Sequence, residues 1–382
     1  MNRRKFLKIA GSTAVIIGAG AGSFLATRTP TDALRPWKDA ATLYSDPMRR
    51  ALSYAILAPN PHNRQPWIVD LINDREAVLT CDLERLLLAT DPYSRQIVIG
   101  LGCFLELFSI AAAEDGYHAD ISYFPEGEID DRLDHRPIAR LSLRKSSEVR
   151  PDPLFAHVLD RHTNRNPYDT ERPIADDIIE RLKGAGGGSV QTGATNKGKL
   201  LEFLRTMTRD AMIDEIKTPE AYQESVDLMR IGRSEIEANP DGISLGGAFL
   251  ETLSLTGVLS RQSVADTASS SYQIALDMTE EGAMASMGFV WVTTSGNDRA
   301  AQIEAGRAYL RIALHVAADG LVMQPMSQAL QEYAEMAAYF KIAHEKLAKP
   351  AGGRVQMLAR LGYADDVGPA PRWPLETRMK KS

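Results

Sequence analysis

Two stretches of this chain match without gaps at an offset of 204 residues: "GCFLELFSIAAAEDG" from Gly102 to Gly116 and "GRAYLRIALHVAADG" from Gly306 to Gly320. Each opens on glycine, runs for about four apolar helical turns and stops at Ala-x-Asp-Gly, where the glycine suits a helix C-cap. Either one alone is a buried helix with glycine and alanine on its face. The pair says more, because self-similarity constrains the whole fold and divides this chain into two related halves.

Periodicity and turn signals give the first half a helix over 46–58, a proline-rich loop and strands over 67–73 and 76–82. A long helix over 95–115 and strands over 117–124 and 137–144 follow. The second half starts near Pro151, with helices near 152–161, 175–184 and 195–215. It continues with a strand over 287–294, helices over 298–319 and 333–347, and a proline-rich tail. Strands mix with helices without regular βαβ alternation, so the expected class is a layered α+β fold with some strands exchanged between halves. The expected division is a leader over 1–30, lobe 1 over 40–150 and lobe 2 over 151–382. An insertion over about 214–271 carries "NPDGISLGG" and "DTASSSY", which read as the flexible parts of a lid. Packing ornament explains it equally well.

Charge narrows the functions. The net charge is -6 with no basic stripe, so nucleic acid is not an expected partner. Cys81 and Cys103 imply neither a disulfide framework nor a zinc site. At the N-terminus Arg3, Arg4, Lys5 and Lys8 precede a small and apolar run, with no acid before Asp32. That is a signal-peptide layout. "NRRKFLK" resembles the twin-arginine export motif, which implies the twin-arginine export machinery as a partner and a periplasmic or exported location. Cleavage is expected after Ala21 or Ala26, and an uncut leader would anchor the protein to a membrane. "VIIGAGAG" has Ser23 where a dinucleotide fingerprint needs its third glycine, so it is not read as one.

Catalytic signatures are absent: no HExxH, no GxSxG and no P-loop. A lone loop histidine such as His62 reads as a surface hydrogen-bonder. The chemistry is therefore expected from a cofactor. Three segments are built to hold one. "LAPNPHNRQPW" (Leu57 to Trp67) combines stiffening prolines with the amides of Asn60, Asn63 and Gln65, although a connecting turn is the plain local reading. "RHTNRNPY" sets Arg161, Thr163 and Arg165 at alternate positions, on one side of an extended chain, as a phosphate and polyol would need. In "PAPRWPLETR", Arg372 is pinned between prolines.

These segments together resemble the nitroreductase-type flavoproteins, in particular their two-lobed, single-chain Acg-type relatives. "APNPHNRQPW" resembles the family's APSxxNxQPW loop, "RHTNRNPY" its RRSxRxF segment, and "LGYADDVGPAPRWPLE" its C-terminal arginine motif. "AGRAYLRIALHVAADGLVMQPMSQ" is similar to the helix and turn before the flavin ring. The resemblance implies a three-layer sandwich whose two lobes form an intramolecular pseudo-dimer. It implies FMN as cofactor and an oxidoreductase acting on a small-molecule redox substrate; a homo-oligomer of the whole chain is compatible with it. Carried over, Arg161, Thr163, Arg165 and Arg372 hold the ribityl phosphate and ring edge. Asn60, Pro61, Asn63 and Gln65 approach from the other lobe, with Met326 and Ser327 beside the ring. The first half lacks the arginine segment and the second lacks the amide loop, so one FMN per chain is expected. The alternative is a flavin store with a closed lid and little turnover.

Overall fold

The computed structural model describes residues 28–187, 189–348 and 352–380. The leader with Arg3 and Arg4 lies outside the described residues. Helix α1 (Arg35–Thr42) is followed by α2 (Pro47–Ala55), which begins where the Asp46 carboxylate accepts from the Arg49 N–H at 2.9 Å, with proline at the first helical position. Beyond the proline-rich loop, β1 (Trp67–Leu71) and β2 (Glu76–Cys81) form a hairpin. Then come α3 (Arg95–Glu114), β3 (Tyr117–Tyr123) and β4 (Ala139–Lys145). The sheet order is β1-β2-β4-β3, and every pair is antiparallel.

The second lobe repeats this plan around a long excursion. Helix α4 (Asp176–Lys183) leads to β5 (Gln191–Thr195). The excursion holds α5 (Gly198–Lys217), α6 (Pro219–Asp227), β6 (Met229–Ile231), α7 (Gly232–Ala238) and β7 (Ile243–Leu245). It ends with α8 (Ala248–Leu255), α9 (Arg261–Ala265) and α10 (Ser270–Met284). Strand β8 (Gly288–Thr294), helix α11 (Arg299–Ala318) and β9 (Val322–Pro325) follow. Helix α12 (Ala337–Leu347) and β10 (Arg354–Gly362) complete the lobe. The order is β5-β8-β10-β9, again antiparallel throughout. Both lobes thus run two strands, a 20-residue helix, an edge strand, and a fourth strand placed between.

The lobes meet helix on helix at the repeated glycines. A Cβ on Gly102 would lie 2.2 Å from the Ile303 carbonyl oxygen, and one on Gly306 would lie 2.0 Å from that of Ile99. These contacts are reciprocal: each glycine accepts the backbone of the other helix, as at a two-fold axis. The helix-end arginines cross over in the same way. Arg95 donates to the Leu330 and Gln356 carbonyls of lobe 2, and Arg299 to the Tyr93 and Asp130 carbonyls of lobe 1. One apolar core runs through both lobes, and a second lies on the other face of the lobe 2 sheet, beneath α5 and α12. The lobe 2 sheet is therefore the middle of three layers.

Some expectations need correction. The segment near 152–161 forms only a short 3-10 turn, Pro153–His157, because proline at 151 and 153 prevents a longer helix. Strand β5 was not expected in "QTGAT", where glycine and threonine read as loop. Gly193 is there because the Trp291 ring of the paired strand lies over it; a Cβ would sit 2.2 Å from that ring. Strand β10 replaces the first part of the expected tail. It is buried along almost its whole length, so it shows no alternation. The insertion is also larger than 214–271. It spans everything between Thr195 and Gly288, where lobe 1 has only the turn from Leu71 to Glu76. Exchange between lobes is real but small: at the chain's end Met379 bridges Val69 in parallel, adding to the edge of the lobe 1 sheet.

Candidate functional site

The proline-rich loop follows directly from the C-terminus of α2. Pro59, Pro61 and Pro66 keep it out of helix and sheet. Three of its residues are left-handed: His62, Asn63 and Gln65 have φ of 46°, 51° and 51°. Non-glycine residues hold such angles only where surrounding bonds impose them, and here the amides supply those bonds. The Asn60 side-chain oxygen accepts from the Gln65 N–H at 2.7 Å. Asn63 donates to the Pro371 carbonyl at 3.0 Å and accepts from Arg372 at 2.7 Å. Gln65, fully buried, donates to the Pro240 carbonyl at 2.7 Å and accepts from the Trp373 N–H at 2.9 Å. Pro61 and Asn60 rest against Gly100 of α3, where any side chain would crowd them.

Asn63 and Gln65 tie the loop to the rest of the chain. Their amides face protein, and they fasten the lobe 1 loop to the C-terminal tail and to the insertion.

The arginine segment runs beside β9. Thr163 bridges Met323 in parallel, and the Asn164 N–H donates to the Met323 carbonyl at 3.1 Å. The residues between the arginines turn away: His162 meets Asp366 at 2.9 Å and Asn164 donates to the Asp365 carbonyl at 2.7 Å. Arg161 and Arg165 face the other way, and both act on the buried phenol of Tyr309. The alternation read from the sequence thus holds in space.

Four guanidiniums gather here. Arg161 donates one nitrogen to the Leu57 carbonyl at 3.1 Å. Arg372 donates to the carbonyls of Ile56, Leu57, Ala58 and Pro371 and to the Asn63 side chain, at 2.7–3.0 Å. All its donors are occupied. Arg372 caps the C-terminus of α2, where the helix dipole favours a cation. Arg360, fully buried, donates to Gln324, the Gly282 carbonyl at the end of α10, and the Asn166 carbonyl. Arg165 makes no side-chain hydrogen bond or ion pair among the described residues.

None of the four has a carboxylate neighbour among the described residues, and burial holds each below the ordinary arginine range. Arg372 falls to about 9, through burial first and the Arg161 charge second. Arg165 belongs to the exposed residues, yet burial depresses its guanidinium. A side chain that solvent reaches while protein crowds it on most sides lines a recess. Tyr168, Tyr309 and Arg360 feel its charge, and its carbonyl lies against Gly282 of α10. His62 feels it from the lobe 1 side.

His62, expected as a surface hydrogen-bonder, is only partly exposed. Burial takes its ring to about 4, so it stays neutral, and Nδ1 is buried without a partner. Nε2 lies 3.3 Å from the Ser225 hydroxyl of α6. Met326, expected beside the ring, is fully buried in the core beneath α5, while Ser327 opens the 3-10 turn Ser327–Leu330 and is partly exposed. Arg360 was missed outright. The available signal was a lone arginine inside the apolar run "RVQMLARLG".

The insertion is fixed to lobe 1 at two points. Glu224 of α6 accepts from the Ala89 and Thr90 N–H groups and the Thr90 hydroxyl, at 2.6–3.1 Å. Buried Asp241 accepts from Arg85 at 2.6 Å, Arg230 at 2.8 Å and the Trp373 indole at 3.2 Å. "NPDG" was read as a flexible part; it is an anchor.

No family model matches the chain. A Mycobacterium tuberculosis protein named "Putative NAD(P)H nitroreductase" is 25% identical over 360 residues, which covers 87% of this chain and 93% of that protein. Another from the same organism, acg, carries the same description and is 36% identical over 81 residues, 21% of this chain and 24% of that one. Among solved structures, the FMN-dependent nitroreductase NfnB from Mycobacterium smegmatis in complex with NADPH aligns with 60% of this chain and 97% of its own, at 13% identity and a TM-score of 0.37.

Proposed function

We propose that this chain is an FMN-dependent oxidoreductase of the nitroreductase type, with one FMN per chain and a small-molecule redox substrate. The observation that carries the reading is the group of four guanidiniums without an acid, in a protein of net charge -6. Two are capped on a helix end that offers only about half a negative charge. A buried cation without a counter-ion is costly, and a phosphate would neutralise this cluster. The long similarity to a protein named "Putative NAD(P)H nitroreductase" supports the nitroreductase type of activity.

In this reading Arg161, Thr163 and Arg165 hold the phosphate and the polar ring edge from lobe 2. Arg165 has its whole donor set free for it. The loop from Asn60 to Gln65 is the wall from lobe 1, and Ser327 lies at the turn beside the ring. Arg372, Asn63 and Gln65 act through that wall by fixing its shape. Bound FMN supplies the hydride and electron transfer; the chain binds it, orients it and keeps water from it. No side-chain acid or base is required.

The spectrum and turnover of the purified protein test this. A flavin absorption band that survives desalting and oxidation of NAD(P)H with a nitroaromatic or quinone, on the order of 1 s⁻¹ or more, are expected. A protein that takes up no FMN after reconstitution would refute the assignment. The two anchors of the insertion, at Glu224 and at buried Asp241, favour a second reading, a flavin store. Rapid reduction by dithionite beside negligible reduction by NADH and NADPH would select it. We also propose twin-arginine export. Replacing Arg3 and Arg4 by lysine should stop export of the folded protein, and continued export would rule that route out.

A further inference from the structure

Arg360 is the strongest unexplained group near the recess. It stands on β10, on the face that packs against the second core with Val355 and Leu358. A fully buried arginine there replaces an apolar residue at considerable cost. Its fork joins three elements: Gln324 of β9 at 2.7 Å, the Gly282 carbonyl of α10 at 2.7 Å and the Asn166 carbonyl of the arginine segment at 2.9 Å. Its guanidinium carbon lies 3.8 Å from the centroid of the Tyr168 ring. Asn166 and Gly282 both border Arg165, so Arg360 lies immediately behind the residue that lines the recess.

A purely structural link could use a neutral amide. An arginine without a carboxylate partner leaves a fixed positive charge in a low-dielectric wall, where charge acts over a longer range than in water. Arg165 alone would repel it, and both together favour an anion between or before them. We propose that Arg360 is a positioning residue that sets the recess's preference for negative charge and, with FMN bound, raises the flavin's reduction potential. Two-electron reduction places additional negative charge on the flavin ring, and a fixed cation behind the wall stabilises that form. This inference rests on the flavin reading above.

The experiment compares the whole protein with Arg360→Gln and Arg360→Lys. Affinity for FMN and riboflavin, the flavin midpoint potential and the melting temperature are measured. Glutamine keeps polar contacts but removes the charge. It should weaken FMN binding by about tenfold or more, shift the potential to more negative values, and narrow the preference for FMN over riboflavin. Lysine keeps the charge but loses the fork, so it should melt earlier and retain most of the potential. A glutamine variant with affinity within twofold and an unchanged potential would overturn the inference, and so would a lysine variant that loses the potential as fully as glutamine. If Arg360→Gln does not fold, the lysine variant decides alone: a potential close to that of the unaltered protein supports the inference, and a clear shift to more negative values overturns it. If the unaltered protein binds no FMN, the flavin reading fails by itself. The comparison then uses inorganic phosphate, whose affinity must fall in Arg360→Gln for the electrostatic role to stand.

Discussion

At the scale of residues, the four arginines of the site do different work. Arg165 has free donors and faces the recess, whereas Arg372 has none free and holds the end of α2. Arg165→Ala should weaken FMN binding by roughly 1.5–3 kcal/mol, the worth of a charge-assisted contact, with little loss of stability. Arg372→Ala should do the reverse. It strands the Ile56 carbonyl, removes one of the two donors at Leu57 and at Ala58, and releases Asn63, at roughly 1–3 kcal/mol for the buried group left unpaired. Titration with FMN and denaturant unfolding separate the two; equal loss of affinity without loss of stability in both would contradict this division.

Glu215 gives a pH signature. Burial raises its carboxyl to about 7, although the Gln331 amide donates to it at 2.5 Å. The folded protein therefore binds this proton more tightly than the unfolded chain. The group's contribution is complete below its ordinary value of 4.5 and is lost as pH rises through about 7. Glu215→Gln lacks this loss. Relative to the unaltered protein it should gain stability between pH 5 and pH 8, and urea midpoints at the two values check it. A difference that stays constant with pH would show that the carboxyl does not titrate there.

At the scale of elements, the helix crossing is the most sensitive point. Gly102 and Gly306 each meet a backbone carbonyl, which cannot move aside as a side chain can. Gly102→Ala should force the lobes apart and cost more than the roughly 1–3 kcal/mol of ordinary overpacking. Gly306→Ala should match it closely, because the contacts are reciprocal. Ala112→Gly on the same helix serves as a control for glycine propensity. Unfolding free energies test the point; a neutral Gly102→Ala would mean that the helices are not held at this crossing. The insertion offers the opposite lesson. Composition made "NPDGISLGG" look loose, yet its first half carries Asp241, bonded to three partners.

At the scale of the whole molecule, the duplicated plan has become unequal. Lobe 1 has the stiff loop and lobe 2 has the arginine segment, while the lobe 2 loop between α4 and β5 carries no amide equivalent to Asn63 or Gln65. A symmetric dimer of such lobes would make two sites, whereas the site proposed here takes its loop from one lobe and its arginines from the other. Bound FMN should approach one per chain in the reconstituted protein, measured by flavin absorbance against protein mass. A ratio near two would contradict a single site.

Much of this was determined locally. The long helices, the lobe 1 strands and the extended arginine segment follow from apolar spacing, turn residues and β-alternation, each set within a few residues of chain. The repeat revealed the two-fold plan because both copies kept the same glycine. Other features depended on closure of the chain. Gln65 finds Pro240 and Trp373, and Arg372 finds Ile56, across 175, 308 and 316 residues of chain. No local pattern shows which carbonyl a buried amide or guanidinium will reach. Strand β10 is buried on both faces, so its alternation vanished, and β5 kept a glycine for a tryptophan on the neighbouring strand. The sequence determined which residues were polar and stiff; only the tertiary structure decided which of them face protein and which remain free for a ligand, because that choice is made by partners hundreds of residues apart.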